Sequence, residues 1–217
     1  MLANRVLHSP DEFRAFARLY WQHARGIRLA PEYLRQSTVR VFYAPSAPDC
    51  WLGGYVINQA APLRYLHCLE PAHQQAVLTD RNFRADDCVE IAGNWLDKEH
   101  IGLGGRAEVY TWMMMEAYAT GRAVILAGSF IRKNQALHRR VLPHLLYEAP
   151  VRIGTYSGHA QVYFGYRAGL LQRFFRTALA DTLRRVFRRK SGTRSLPPIQ
   201  QPVPVPPNRR PPRREVA

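Results

Sequence analysis

The chain has no long apolar run: nothing in it approaches the roughly 20 consecutive apolar residues of a membrane-spanning helix. The stretch Met1-Leu-Ala-Asn-Arg-Val-Leu-His8 also lacks the longer apolar centre of a secretory signal. Cysteine is sparse. Cys50, Cys68 and Cys88 are widely spaced and odd in number, which excludes a CxxC pair, a zinc-ligand spacing and a disulfide framework. The expectation is a reduced, cytoplasmic protein. Among eight histidines, His138 and His144 are too far apart for a one-turn metal pair, and His67 and His73 lack a third ligand, so no metal is expected. No internal repeat is visible.

Acidic residues are scarce too, 16 against 31 lysines and arginines, for a net charge of +15. The imbalance is not uniform. Residues 167–217 carry 13 of the basic residues and only 2 of the acids, so the preceding part is only mildly basic. Hydrophobic residues make up 47% of the chain, enough for one domain with attachments.

The most ordered pattern runs from Cys88 to Phe130. Cys88-Val-Glu-Ile-Ala92 alternates apolar and polar positions, the period of a strand with one buried face. Ile101-Gly-Leu-Gly-Gly105 turns the chain, and Arg106 to Tyr118 is free of proline and glycine and rich in helix formers. Gly121 stops the helix, and Ala123-Val-Ile-Leu-Ala127 reads as a buried strand. A glycine turn that opens a helix presents backbone N–H groups to an anion. Glu90 lies on the strand leading into that turn.

Upstream, Arg5 to His8 reads as a short strand. Ser9-Pro10-Asp11-Glu12 is a helix start, with Ser9 as N-cap and Pro10 in the first position. Phe13, Phe16, Ala17 and Tyr20 follow at helical spacing. A second short helix begins at Pro31. Thr38 to Tyr43 and Trp51 to Ile57 read as strands, the latter with Gly53-Gly54 marking a bulge or a close backbone approach. Leu63 to Cys68 reads as a hairpin arm or a continued bent strand, and Glu70 to Leu78 as a helix. Thr79 to Asp87 reads as a polar surface connection. After Phe130 come a basic helix to Leu142, then strands at Leu145 to Ala149 and Gln161 to Tyr166.

This order of elements, with the glycine turn, resembles the GCN5-related N-acyltransferase (GNAT) superfamily over roughly Asn4 to Arg167. The resemblance implies an α/β (α+β) fold, a mixed and mostly antiparallel sheet flanked by helices. It implies an acyl-CoA co-substrate, acetyl-CoA or longer, or an acyl carrier protein, and an amine acceptor that is a small molecule or a protein. In the family the turn reads Arg/Gln-x-x-Gly-x-Gly/Ala and holds the donor's pyrophosphate. Here Gly102 and Gly104 match, Gly105 and Arg106 extend the cradle, and Glu99 stands where the family has a cation or an amide. Lys98 and Arg106 flank the turn as cations.

On the same resemblance Glu90 takes the place of a general base, which must remove a proton before an ammonium can attack a thioester. The alternative for Glu90 is a structural carboxylate. Asn94, read as sharing its face, binds substrate or satisfies a backbone group, and a backbone amide at Ile91 or Ala92 polarises the thioester carbonyl. Asn134 matches a family asparagine after the fifth strand. Seven residues on, where the family's acidic tyrosine stands, is Val141; Tyr147 and Tyr163 are the candidate replacements. Trp112 and Met113-Met-Met115 read as packing, with an acyl-chain lining as the alternative.

Beyond the domain at 1–167, residues 168–190 form an amphipathic basic helix. Leu170, Leu171, Phe174, Phe175, Ala178, Leu179, Leu183, Val186 and Phe187 make its apolar stripe, ringed by arginines. Three uses are open: packing on its own domain, docking on an anionic membrane as a peripheral protein, or binding nucleic acid or an acidic partner. Residues 191–217, rich in proline and arginine, read as a disordered tail. Two functions follow: an N-acyltransferase, or a non-catalytic binding protein on the same scaffold that uses its basic segment.

Overall fold

The computed structural model describes residues 1–24, 26–153 and 156–191; the tail expected at 191–217 lies, from residue 192 on, outside the described residues. Strands β1 (Ala3–Val6), β2 (Thr38–Tyr43), β3 (Trp51–Asn58), β4 (Cys88–Leu96), β5 (Val124–Ser129), β6 (His144–Ile153) and β7 (Tyr156–Tyr166) build one sheet. Its order is β1-β2-β3-β4-β5-β7-β6. Each neighbouring pair is antiparallel except β4 and β5, which are parallel. The helices are α1 (Pro10–His23), α2 (Pro31–Arg35), α3 (Arg64–His67), α4 (Pro71–Asp80), α5 (Leu103–Ala119), α6 (Arg132–Val141) and α7 (Leu170–Ser191). This is the expected mixed α/β fold.

Helix α1 begins as its sequence predicts. The Ser9 hydroxyl accepts from the Glu12 amide at 3.2 Å, and the Glu12 carboxylate accepts from the Ser9 amide at 3.0 Å. Phe13, Phe16 and Tyr20 then point into the sheet. Gly54 is a close approach: a Cβ there would lie 2.6 Å from the Arg40 carbonyl and 2.7 Å from the Phe16 ring. That glycine lets α1 settle directly onto β3.

Alternation along the strands sends side chains to two layers. One face, under α5, α6 and the start of α7, gathers Phe42, Tyr55, Val89, Ile91, Val109 and Ile125 with their neighbours. The other carries two clusters, one under α1 and α2 with Val39, Val41 and Val56, the other under α3 and α4 with Cys88, Leu126 and Phe164. Glu116 of α5 ties its helix to the sheet: Arg40 donates twice to it at 2.9 and 3.0 Å, and the Tyr55 hydroxyl donates at 2.7 Å. Met113 and Met114 are packing residues in the core, whereas Trp112 and Met115 face outward.

Three expectations about the elements need correction. Leu63 to Cys68 is not a hairpin arm, because the open edge of β3 is taken by β4. Arg64–His67 coil into α3 instead, and the Asn58 side chain turns the chain toward it through bonds to and from Ala60. The last two strands run well past the expected limits, because they pair with each other from His144↔Phe164 to Ile153↔Tyr156. Phe83, inside the stretch read as surface, is buried.

The compact unit comprises Met1–Ala180, and a second unit begins at Asp181. Leu170 is 1% exposed and joins the core, with Leu171 and Phe174 packed against it. Farther along α7, Phe175 and Leu179 are exposed. Among the described residues no helix is long and apolar enough to cross a membrane.

Candidate active site

β4 and β5 run side by side and then part. Their pairing extends from Cys88↔Val124 to Ile91↔Ala127 and stops. Beyond it β4 continues to Leu96 on β3, and β5 continues to Ser129 on β7. A bulge drives the divergence: Ala92 faces Val56 and Trp95 faces Gly54, so Gly93 and Asn94 together oppose Tyr55. Gly93 has φ +57°, and a Cβ on it would meet Val56 Cγ2 at 2.6 Å. At the crotch of the opening sits the Tyr65 hydroxyl, 3.1 Å from the Ile91 carbonyl of β4 and 3.2 Å from the Gly128 carbonyl of β5. Gly128 has no side chain where the Tyr65 ring passes; a Cβ there would come within 2.9 Å of it.

The outer end of β4 leads to the N-terminus of α5. Asp97 organises the connection: its carboxylate accepts from the Glu99 and His100 amides at 3.0 and 3.3 Å and pairs with the His100 ring at 2.8 Å. That pairing raises the His100 pKa. Gly102 is the N-cap and offers no side chain, so the amides of the first turn of α5 are uncapped. A Cβ at Gly102 or Gly104 would meet nothing within 4 Å, whereas one at Gly105 would meet Ile101 Cγ1 at 2.9 Å. The Arg106 guanidinium folds back onto the turn, donating to the Lys98 carbonyl at 2.7 Å and the Ile101 carbonyl at 3.1 Å. An open groove lined by Leu2, His100, Gly102, Gly104, Gly105 and Glu108 runs past this end. Uncapped amides, a helix dipole and a fixed cation are the elements that can seat an anion.

No model of a known protein family matches the sequence, and no functionally curated protein does. Solved structures do match. FeeM, an N-acyl amino acid synthase from uncultured soil microbes, superposes with a TM-score of 0.58 at 15% identity, over 80% of this chain and 94% of that one. An N-acetyltransferase from Staphylococcus aureus Mu50 gives 0.51 at 13% identity, over 77% and 99%. YncA from Salmonella typhimurium, a putative acetyltransferase solved with acetyl-CoA, gives 0.50 at 11% identity, over 77% and 94%. The chain has the GNAT fold.

Within the GNAT fold, the sequence candidates divide into two groups. Ile91 and Ala92 sit where the β4–β5 ladder ends, and Gly102, Gly104, Gly105 and Arg106 sit together at the start of α5. Asn94 belongs with this second set, for a reason the alternation hides. The bulge at Gly93 reverses the faces, so Trp95 joins Ala92 under α1 and Asn94 turns toward α5, where it neighbours the Tyr110 phenol. Asn94 therefore does not share a face with Glu90. Its buried Oδ1 has no partner of hydrogen-bonding geometry. Asn134 is exposed in the first turn of α6.

Glu90 is on the opposite side. It is 0% exposed, and its carboxylate is filled: Oε1 accepts from the Arg64 amide at 2.8 Å and the Asn58 side chain at 3.2 Å, Oε2 from the Tyr65 amide at 3.0 Å. Glu90 thus caps α3 and anchors it to β4. Tyr33 lies beside it, and burial together with that carboxylate pushes the phenol pKa well up. Tyr147 is buried, with its hydroxyl donating to the Tyr65 carbonyl and its pKa raised by burial. Tyr163 donates to the Gln161 side chain at 2.6 Å, and Val141 is a core residue. Sequence reasoning missed Tyr65. Its only local signal is a tyrosine in a stretch that reads as strand, and its partners lie 26 and 63 residues away.

Proposed function

We propose that this protein is an N-acyltransferase that moves an acyl group from a thioester donor to an amine. The observation that carries the reading is the alignment of two features: the β4–β5 opening, and the uncapped N-terminus of α5 at its outer end. A donor with a pyrophosphate places its anion on the amides of Leu103, Gly104 and Gly105, with Arg106 beside it. Its extended amide arm then lies along β4, and its thioester reaches the crotch. The Salmonella structure, solved with acetyl-CoA, supports coenzyme A as the carrier for this fold. An acyl carrier protein presents the same arm on an acidic protein, and a basic chain suits it.

The amine lone pair attacks the thioester carbon, and a backbone N–H at Ile91 or Ala92 stabilises the oxyanion. Collapse breaks the C–S bond, and the amine's surplus proton passes to the leaving thiolate. A thiol pKa of about 8.5 makes that a good leaving group without a strong acid. This accords with Val141 in the family's tyrosine position and with Tyr147 committed to a backbone carbonyl. Glu90 is assigned to positioning: with two backbone amides and an asparagine on it, it holds α3, and through α3 the Tyr65 hydroxyl, at the crotch.

The test is a thermal titration with acetyl-CoA, a long-chain acyl-CoA and an acylated carrier protein. A donor that binds the native state raises the melting temperature, by about 2.7 kcal/mol of stabilisation at one hundred times its dissociation constant. No rise with any of the three sinks the reading.

A further inference from the structure

Arg64 occupies an unusual place. It opens α3, one residue before the tyrosine at the crotch, and its part-buried side chain reaches the connection from α1 to α2. One guanidinium nitrogen, Nη2, donates to the Arg28 carbonyl at 3.3 Å, and the Tyr20 phenol is a further hydrogen-bond neighbour. Tyr33 and Tyr65 are further neighbours that act on its charge. Among the described residues no carboxylate lies within ion-pair distance of it. Glu90 is near, but its oxygens are taken by the amides of Arg64 and Tyr65 and by Asn58.

The Arg64 guanidinium keeps contact with solvent and has no carboxylate partner among the described residues. Its fork of N–H donors matches a carboxylate bidentately, and the partners here leave most of that fork unused. The phenols add neutral hydrogen-bonding edges and apolar walls. We infer that Arg64 is the anion seat of the acceptor site, and that the amine acceptor carries a carboxylate next to its amino group, as an α-amino acid does. With the carboxylate on Arg64, the amine is held on the sheet face opposite α5, beside the crotch marked by Tyr65. Donor and acceptor then meet from opposite faces of the β4–β5 opening. This inference rests on the acyltransferase reading and adds the acceptor's chemical class to it.

Matched amine pairs test it. The full chain is assayed with acetyl-CoA and decanoyl-CoA on L-tyrosine against tyramine, L-leucine against isoamylamine, and L-arginine against agmatine, following thiol release and product mass. The expected result is that in at least one pair the carboxylated member is preferred in kcat/KM by about 10- to 100-fold, the range of a hydrogen-bonded charge. Arg64→Gln brings that ratio toward one, mainly by raising KM for the carboxylated member. Arg64→Lys keeps the charge without the fork and falls between. A wild type that uses the decarboxylated members equally well or better overturns the inference, and this arm needs no variant to fold. So does an Arg64→Gln protein of unchanged melting temperature in which both members fall equally. Transfer to no member of any pair, with a donor-induced rise in melting temperature intact, also overturns the acceptor class while leaving the donor site standing. Absence of that rise overturns the acyltransferase reading itself.

Discussion

The two faces of β4 are built by different means. On the α5 face the features come from one continuous stretch: bulge at Gly93, turn at Asp97, N-cap at Gly102, cation at Arg106. Each is held by neighbours a few residues away. On the opposite face the features come from far apart. Glu90 on β4 captures the amides of Arg64 and Tyr65, Tyr65 reaches Gly128 on β5, and Tyr147 on β6 reaches back to Tyr65. The contrast teaches that the α5-side scaffold is a local motif, tolerant of surface change, whereas the opposite side is a cooperative tertiary network. One broken link there is felt throughout.

The sharpest way to break the comparison is at Glu90. Glu90→Ala strips the acceptor from two backbone amides and Asn58 in a buried site, and a loss of about 3–5 kcal/mol is expected from the unsatisfied donors. Chemical denaturation measures it. A loss under about 1 kcal/mol would contradict the anchoring role and return Glu90 to the role of a catalytic carboxylate. A pH titration examines the α5–α6 face. His138 of α6 is held neutral by burial, its pKa lowered to about 4 with its Nδ1 unpartnered. A histidine whose folded pKa lies below the unfolded value near 6.5 contributes stability above that value and loses it as pH falls toward 4. The loss amounts to up to about 3 kcal/mol. His138→Phe should flatten unfolding free energy between pH 6.5 and 4; an unchanged slope would assign the loss to other groups.

Smaller effects follow at the opening itself. Gly93→Ala forces a Cβ to 2.6 Å from Val56 at φ +57°, an expected cost of about 2 kcal/mol, together with weaker donor binding as the bulge is strained. Tyr65→Phe removes the hydroxyl between Ile91 and Gly128, for about 1 kcal/mol, and should lower kcat more than it raises the donor's KM. Gly104→Ala is the smallest and has the opposite sign. With nothing within 4 Å of the added methyl, a gain of about 0.5 kcal/mol from helix propensity is expected, alongside weaker binding of acyl-CoA. If both melting temperature and donor affinity rise, the first turn of α5 is not the anion seat.

The same contrast explains what was legible. The Ser9 cap, the strand from Cys88, the turn glycines and the helix after them follow from rules that act over a few residues, and they placed the chain in its fold. The position of Asn94 was misread because period-2 alternation assumes no bulge, although Gly93 was in plain view. Arg64 and Tyr65 were unreadable as functional groups: their stretch has strand-like composition, and helix α3 exists because Glu90, 26 and 25 residues away, holds its first amides.

By itself the sequence determined the order of elements apart from α3, the glycine turn at the head of α5 and the concentration of basic charge beyond residue 166, because caps, periodicity and composition are local properties. Only the tertiary structure decided that β4 and β5 part after Ile91 and Ala127, that Glu90 is an anchor with its oxygens occupied, and that Arg64 has no carboxylate partner among the described residues. Those facts depend on which strands pair and where the ladder stops. Pairing is settled by the packing of the whole sheet, through contacts that no short window of sequence contains.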